Sequence, residues 1–321
     1  MKQTEQPAGI CPAIKSKIGG QALIEGVMMH GLGEAAMAVR LPDGSVDVET
    51  WTETPGRFFK AVTRVPFLRG IFNFISSMVT GYRCLSKSAE KSGLDLEDGE
   101  PGKFERWLEK AFGDQLMKVV AGAGMVLGVL AALALFLWLP ALAVKGLSSL
   151  VSIPGFLMNI LEGVIKLALF LIYMLLVSRM KEIRRVFEYH GAEHKSIFCY
   201  ENGLELTVEN VRKQSRFHPR CGTSFLILIL IISILVNSLI SWQTVWVRTL
   251  LKLLLLPVVM GIGYELLKLC GRYDNWLTRM IAWPGLKLQH LTTREPDSEQ
   301  IEIAIAALKP VIPANREEDR W

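Results

Sequence analysis

Four long apolar stretches dominate the chain from residue 119 to residue 269. They run from Val119 to Leu139, Phe156 to Ser178, Phe225 to Val247 and Val245 to Leu269. Each approaches the roughly 20 residues that an α-helix needs to cross a bilayer. The pattern therefore predicts a mainly α-helical membrane protein with about four transmembrane helices. The alternative is two or three spans together with a re-entrant hairpin.

Basic residues are distributed unevenly among the segments that join these stretches. The segment 179–223 holds nine of them: Arg179, Lys181, Arg184, Arg185, Lys195, Arg212, Lys213, Arg216 and Arg220. The first connection has only Lys145, and the last has Arg248. Because lysine and arginine are concentrated in cytoplasmic loops, the segment 179–223 is predicted to be cytoplasmic. With four spans, both termini are cytoplasmic too.

Polar segments flank the apolar stretches and predict a cytoplasmic α+β portion. Alternating runs on either side of Pro42-Asp43-Gly44 indicate a β-hairpin. Between Phe67 and Tyr82, apolar residues recur at helical spacing and indicate an amphipathic helix against the membrane or the bundle. Asp297 and Gln300 resemble a capping box that opens a C-terminal helix. The predicted divisions are 1–115, 116–178, 179–223, 224–270 and 271–321.

Composition agrees with a membrane setting and excludes several function classes. Half of the 321 residues are hydrophobic, and the mean hydropathy is +0.31. The five cysteines are widely separated and odd in number, which argues against a disulfide framework and indicates a reducing compartment. The net charge of +5 is explained by basic residues near the spans, so nucleic-acid binding is not implied. There is no phosphate-binding P-loop, no dinucleotide fingerprint and no serine-hydrolase elbow.

Candidate chemistry is concentrated in the segment 179–223. His190 and His194 form an H-x-x-E-H motif, which places both imidazoles on one helical face where they can chelate one metal ion. Glu193, between them, is the candidate general base toward a metal-bound water. His218 and Cys221, in an H-x-x-C, offer two more ligands of the kinds that zinc prefers. The predicted cofactor is therefore a divalent metal ion of the zinc type.

Other residues are candidates for the edges of this site. Glu265, in the last apolar stretch, is either a further metal ligand or a partner of Lys268 or Arg272. Lys195 and Arg220 are candidates for stabilising developing negative charge. Three more side chains are candidates for the surroundings of the metal: Cys199 as a spare ligand, and Glu25 and His30 as substrate-binding or ligand-supporting groups.

Four stretches carry a family resemblance. They are GGQALIEGVMMHG (19–31), YHGAEHKSIFCYENG (189–203), HPRCGTSFL (218–226) and LTTREPDSEQIEIAIAAL (291–308). In these stretches the chain resembles the bacterial membrane proteins grouped as domain-of-unknown-function family 1385 (DUF1385). The resemblance implies a bacterial inner membrane and, since the family has been described as predicted metal-dependent enzymes, a metal-dependent activity. It implies no particular reaction or substrate.

Two functions remain open at this stage. The first is a zinc-type metal-dependent enzyme, a hydrolase in the simplest form, acting on an unknown substrate at the membrane face. The second is a non-enzymatic membrane scaffold or regulator, in which His190, His194, His218 and Cys221 form a closed structural zinc clamp. A transporter is disfavoured, because the spans contain few charged residues.

Overall fold

A computed structural model describes residues 14–54, 56, 62–63, 65–93, 123–124, 126–239, 245–273 and 275–320. The chain forms two compact units. The first comprises residues 1–93, 175–228 and 260–321, and the second comprises residues 94–174 and 229–259. Within the described residues, the first unit contains a small antiparallel sheet and its covering helices, whereas the second is built from the apolar helices.

The sheet is a four-stranded antiparallel meander in the order β1-β2-β3-β4. Its strands are β1 (Gly19–Leu23), β2 (Gly26–His30), β3 (Glu34–Arg40) and β4 (Val46–Thr52). The predicted hairpin is confirmed as β3 and β4, joined through Gly44, whose positive φ of 86° suits a residue without a Cβ. The glycine- and methionine-rich segment before it forms a second hairpin, β1–β2.

Both faces of the central strands β2 and β3 are covered by other parts of the protein. Successive side chains of a strand point to opposite faces of the sheet, so neighbouring residues enter different cores. Val27 and Met29 face a core that includes Tyr189 and Ala192, whereas Met28, between them, packs in a second cluster with Cys84. The first of these cores also contains residues 301–308. Helices therefore lie on both sides of β2 and β3.

Apart from two short 3-10 helices near the C-terminus, nine helices are found among the described residues. They are α1 (Leu68–Lys91), α2 (Val126–Leu150), α3 (Gly155–Val177), α4 (Lys181–Glu201), α5 (Val208–Arg212), α6 (Gly222–Ser238), α7 (Val245–Arg272), α8 (Trp276–Thr292) and α9 (Ser298–Leu308). The helix predicted around 67–82 is confirmed as α1, and several of its apolar side chains are exposed, including Met78 and Tyr82. The predicted capping box of Asp297 and Gln300 is present at the start of α9.

In the part of the chain that the structure describes, three helices are long and apolar enough to cross a membrane: α2, α3 and residues 250–272 of α7. The predicted third span is shorter than expected, because α6 ends at Ser238 and has only 17 residues. The first helix also extends beyond its predicted end at Leu139. It continues past Pro140 because that residue follows a π-helical turn, Ala134–Trp138, and stands at the start of the next α-helical segment. A proline in that position needs no backbone N–H for the helical ladder.

The two ends of the described chain meet in the first unit. Ser16 pairs with Arg320 in an isolated β-bridge, and the Ser16 hydroxyl donates to the Asp319 carboxylate at 2.6 Å. The backbone N–H of Lys17 also donates to the carbonyl of Asp319 at 2.8 Å. Asp319 is fully buried, so this junction is part of the core rather than a surface contact.

Candidate metal centre

The H-x-x-E-H motif lies in the middle of α4, a helix separate from the preceding span. Helix α3 ends at Val177, and a turn over residues 178–180 redirects the chain before α4 begins at Lys181. A straight helix would carry His190 roughly 18 Å beyond the end of the predicted span. For the two motifs to meet, the sequence therefore predicts either a bend or break in this helix or a third span that begins as a helix well outside the lipid. His190 and His194 are both buried, and their ring centroids are 4.4 Å apart.

The H-x-x-C motif forms a tight turn immediately before α6. The backbone N–H of Cys221 donates to the carbonyl of His218 at 3.3 Å. The side chain of Gln289, a fully buried residue of α8, hydrogen-bonds to the backbone of this turn. Its amide oxygen accepts from the His218 backbone N–H, and its amide nitrogen donates to the His218 carbonyl, both at 2.7 Å. Gln289 thus fixes the position of Cys221 through the backbone of the turn.

His190, His194 and Cys221 converge on one point in the interior. One ligand atom from each lies within 4.8 Å of the other two. The Nε2 atom of His190 is 3.1 Å from the Cys221 Sγ atom. Two imidazoles and a thiol at this spacing are a ligand set of the kinds that zinc and related divalent ions take.

Backbone carbonyls orient both imidazoles toward this point. The Nδ1 atom of His190 is 2.7 Å from the Thr292 carbonyl oxygen, and that of His194 is 2.6 Å from the Arg216 carbonyl oxygen. Because a carbonyl can only accept, each Nδ1 carries a proton, and Nε2 is the nitrogen left to bind a metal once it is deprotonated. The Nε2 atom of His194 is buried and has no hydrogen-bond partner among the described residues. These are the features expected of histidines that bind a metal, so the residues fit a divalent ion.

Electrostatics favour a deprotonated thiol at this site. Burial raises the pKa of Cys221, but the positive charges of His190 and His194 outweigh it and hold the pKa well below the usual range. Burial lowers the pKa of His190, and the Cys221 thiolate raises it by more, to about 9. The two side chains therefore form a thiolate–imidazolium pair, and the thiolate is the form that binds metals.

Glu193 lies beside the cluster, against the first strand of the sheet. A Cβ on Gly20 would be 3.0 Å from the Glu193 carboxyl carbon, and the Gly20 backbone N–H hydrogen-bonds to that carboxyl group. The Oε2 atom is buried and without a partner in the described part of the chain. Burial raises the pKa of Glu193, and the charges of His190 and His194 offset only part of that effect.

His218 is close to the cluster but is turned away from it. Its ring centroid is 5.5 Å from that of His194, yet it is not part of the converging group. Its Nε2 atom instead faces Arg220 at 3.2 Å and Glu201 at 3.7 Å. Burial, despite the nearby Glu201 carboxylate, lowers the pKa of His218 to about 4, so the imidazole is neutral. The structure thus brings together three of the four expected His/Cys ligands.

Glu265 is not part of the His/Cys cluster and pairs with Arg69. Its carboxylate accepts two hydrogen bonds from the Arg69 guanidinium, the Nε–H bond at 2.7 Å, and one from the backbone N–H of Phe67. The partner is thus Arg69 on α1 rather than a metal ion, Lys268 or Arg272. A residue almost 200 positions away cannot be identified from local spacing.

The two basic candidates also have structural partners. Lys195 is buried, donates to the Arg212 carbonyl at 2.9 Å and pairs with Glu295 at 2.8 Å. Arg220 donates to the Ser16 carbonyl at 2.7 Å and pairs with the buried Glu201. Each therefore joins separate parts of the first unit.

The remaining sequence candidates lie outside the cluster. Cys199 is buried, its thiol contacts the Glu205 carbonyl oxygen at 3.4 Å, and burial raises its pKa to about 11. Glu25 accepts from Arg185 at 2.7 Å and from the Tyr189 hydroxyl at 3.1 Å. His30 is exposed at the end of β2.

Sequence reasoning missed the segment 292–296, although it lies within one of the resembling stretches. The Thr292 carbonyl orients His190, and the Arg294 backbone N–H donates to the carbonyl of Phe187 on α4 at 2.8 Å. A Cβ on Gly191 would be 1.9 Å from the Arg294 carbonyl oxygen. The glycine inside the H-x-x-E-H motif, an unfavourable residue in a helix, was the available signal of this close approach.

Comparison with known proteins gives a consistent grouping. The family described as "Protein of unknown function (DUF1385)" matches residues 65–314. The "Uncharacterized protein YqhQ" of Bacillus subtilis (strain 168) is 37% identical over 299 residues, which cover 92% of each chain. No solved structure matches the chain. A family match over most of the chain, together with this relative, shows that the chain belongs to the DUF1385 family.

Proposed function

We propose that this protein is a membrane-embedded, metal-dependent enzyme, a hydrolase in its simplest form, with its site on the cytoplasmic face. His190, His194 and Cys221 hold a zinc-type ion. One observation carries the proposal: the His194 Nε2 and Glu193 Oε2 atoms are buried at the cluster, and neither has a hydrogen-bond partner among the residues that the structure describes. Such atoms each destabilise a fold by about 1–3 kcal/mol. A bound ion and a water beside it would satisfy both.

The ligand number favours catalysis over a purely structural role. Structural zinc sites use four protein ligands, whereas catalytic sites use three and keep one position open. When bound, a zinc-type ion supplies Lewis acidity and lowers the pKa of water to about 7. Glu193 is the proposed general base, accepting a proton at Oε2. Burial raises the pKa of its carboxyl group.

The proposed setting is the bacterial inner membrane, with the metal centre and both termini in the cytoplasm. The basic segment 179–223 supports this orientation through the positive-inside rule. The three long apolar helices support insertion in the bilayer, and the shorter apolar helix α6 is the proposed fourth crossing that brings both termini to one side. The substrate then reaches the site from the cytoplasm or from the inner leaflet.

A second candidate, a structural clamp, is favoured by the burial of the site. His194 has 1% of its surface exposed, and the cluster joins α4 to the turn before α6. In this alternative the ion has no exchangeable position, and Glu193 is a buried neighbour without a chemical role.

Metal analysis of purified variants tests the proposal. His194→Ala and Cys221→Ala should lose the ion, and Cys199→Ala, a matched change at a buried cysteine outside the cluster, should keep it. If Cys221→Ala retains a full equivalent of metal, the proposed ligand set is wrong.

A cobalt-substituted protein separates the enzyme from the clamp. If one position is open, a small anion such as azide should change the visible spectrum, and Glu193→Gln should keep the metal while changing the pH dependence of that spectrum. A spectrum that neither azide nor Glu193→Gln alters would support the closed clamp.

A further inference from the structure

We propose that α8 lies in the membrane interface and that the cleft beside it binds the headgroup of an anionic phospholipid. This proposal is independent of the metal centre. It rests on a cleft of about 520 Å³ in the first unit. Its lining combines the aromatic and apolar side chains of Phe217, Trp283 and Leu286 with the polar side chains of Lys15, Lys287 and His290.

The exposed surface of α8 changes character along the helix. Its first two turns expose Trp276 and Trp283, with 76% and 60% of their surfaces accessible, and Met280 lies between them at 57%. One turn further on, Lys287 and His290 are exposed on the same side. Tryptophan beside basic residues is the composition of helices that lie at the boundary between acyl chains and headgroups.

The chain connection places this helix at the end of a candidate span. Helix α7 ends at Arg272 and α8 begins at Trp276. Four residues of extended chain reach at most about 14 Å, so the first turn of α8 must lie close to the membrane surface. Asn275 and Thr278 form a capping box that starts the new helix immediately.

Charge complementarity identifies the occupant. The Lys287 ammonium lies 5.7 Å from the centroid of the Trp283 ring, so the cation is held above an aromatic surface at the cleft. The centroid of the His290 ring lies 4.4 Å from that of the Phe217 ring, which also lines the cleft. No acidic side chain is among the described residues that line the cleft. A cleft that combines basic and aromatic side chains matches a phosphate headgroup with its first acyl carbons.

The test uses the full-length protein in detergent, titrated with phosphatidylglycerol or with phosphatidylcholine of the same acyl chains. Bound lipid is counted by native mass spectrometry. Phosphatidylglycerol should bind more tightly, and inorganic phosphate should not compete at equal concentration, because it lacks the apolar contacts. Equal affinities for the two lipids would overturn the proposal without any variant, and effective competition by phosphate would assign the cleft to a soluble anion instead.

Variants then locate the site. Lys15→Gln and Lys287→Gln should each weaken phosphatidylglycerol binding about fivefold, the effect of one basic residue near an anionic surface. Lys309→Gln, an exposed lysine on the turn after α9, removes the same charge and should have no effect. If all three variants weaken binding equally, the cleft is not the site. If the protein is a dimer that Trp276→Ser separates into monomers, a second copy covers this face and the proposal is wrong.

Discussion

Replacing Gly191 by alanine tests whether the backbone of residues 292–296 positions His190. The added Cβ would lie 1.9 Å from the Arg294 carbonyl oxygen, whereas ordinary contact begins at 3.4 Å. The segment must therefore retreat by about 1.5 Å, the difference between these two distances. The Thr292 carbonyl, two residues away, would then move out of hydrogen-bond range of the His190 Nδ1 atom, which is 2.7 Å from it now.

The structure and helix propensity predict opposite signs for this change. In an open helix interior, glycine to alanine stabilises by about 1 kcal/mol. Here the forced displacement of segment 292–296 should lower the free energy of unfolding by about 1–3 kcal/mol, so the measured transition temperature should fall. Loss of the carbonyl that orients a metal-binding histidine typically lowers metal affinity 10–100-fold, and Gly191→Ala should show a loss in this range.

Thermal unfolding and competition with a chromophoric chelator provide the two measurements. Gly222→Ala is the matched control, because a Cβ on Gly222, beside the ligand Cys221, would meet nothing within 4 Å. It should leave both quantities nearly unchanged. A Gly191→Ala protein with undiminished metal affinity and an equal or higher transition temperature would refute the assigned role of segment 292–296.

Three further predictions concern other parts of the molecule. Glu265→Gln should keep a full equivalent of metal but destabilise the fold by about 1 kcal/mol through the weakened contact with Arg69; metal loss would return Glu265 to the ligand set. Folding lowers the pKa of His218 from about 6.5 to about 4, so the neutral imidazole contributes fully to the free energy of unfolding above pH 6.5. This contribution, up to about 3 kcal/mol, is lost as the pH falls toward 4. Unfolding at several pH values should show this loss, and His218→Gln should flatten it. Reporter fusions at residues 145 and 243 should report outside and those at 200 and 300 inside; an inside signal at 145 would contradict the proposed topology.

Local periodicity explains what the sequence reveals of this fold. The segments of α2, α3 and α7 are long and predominantly apolar, the turn at Gly44 separates two alternating strands, and His190 and His194 are one helical turn apart. Each of these features is encoded within a few residues. The strand β2 escaped detection for the opposite reason, because it is buried on both faces and shows no alternation.

Contacts between distant segments explain what the sequence does not reveal. Arg69 competes for Glu265 from almost 200 residues away, and Glu201, at the end of α4, faces the Nε2 atom of His218 and pairs with Arg220. Neither pairing can be recognised from the spacing of residues along the sequence. Glu265 and His218 therefore both looked available as metal ligands. The ligand count could be reduced from five candidates to three only when their directions in space were known.

Assembly of the first unit from three separated parts of the chain has a consequence for biosynthesis. Its metal centre takes ligands from α4 and from Cys221, a supporting amide from Gly20 and an orienting carbonyl from Thr292. The same unit is joined at Ser16 and Asp319. Contacts of such long sequence separation form slowly. Metal loading should therefore be a late event, possible only after nearly all of the chain has left the ribosome, and a nascent chain stalled before residue 292 should bind the ion poorly.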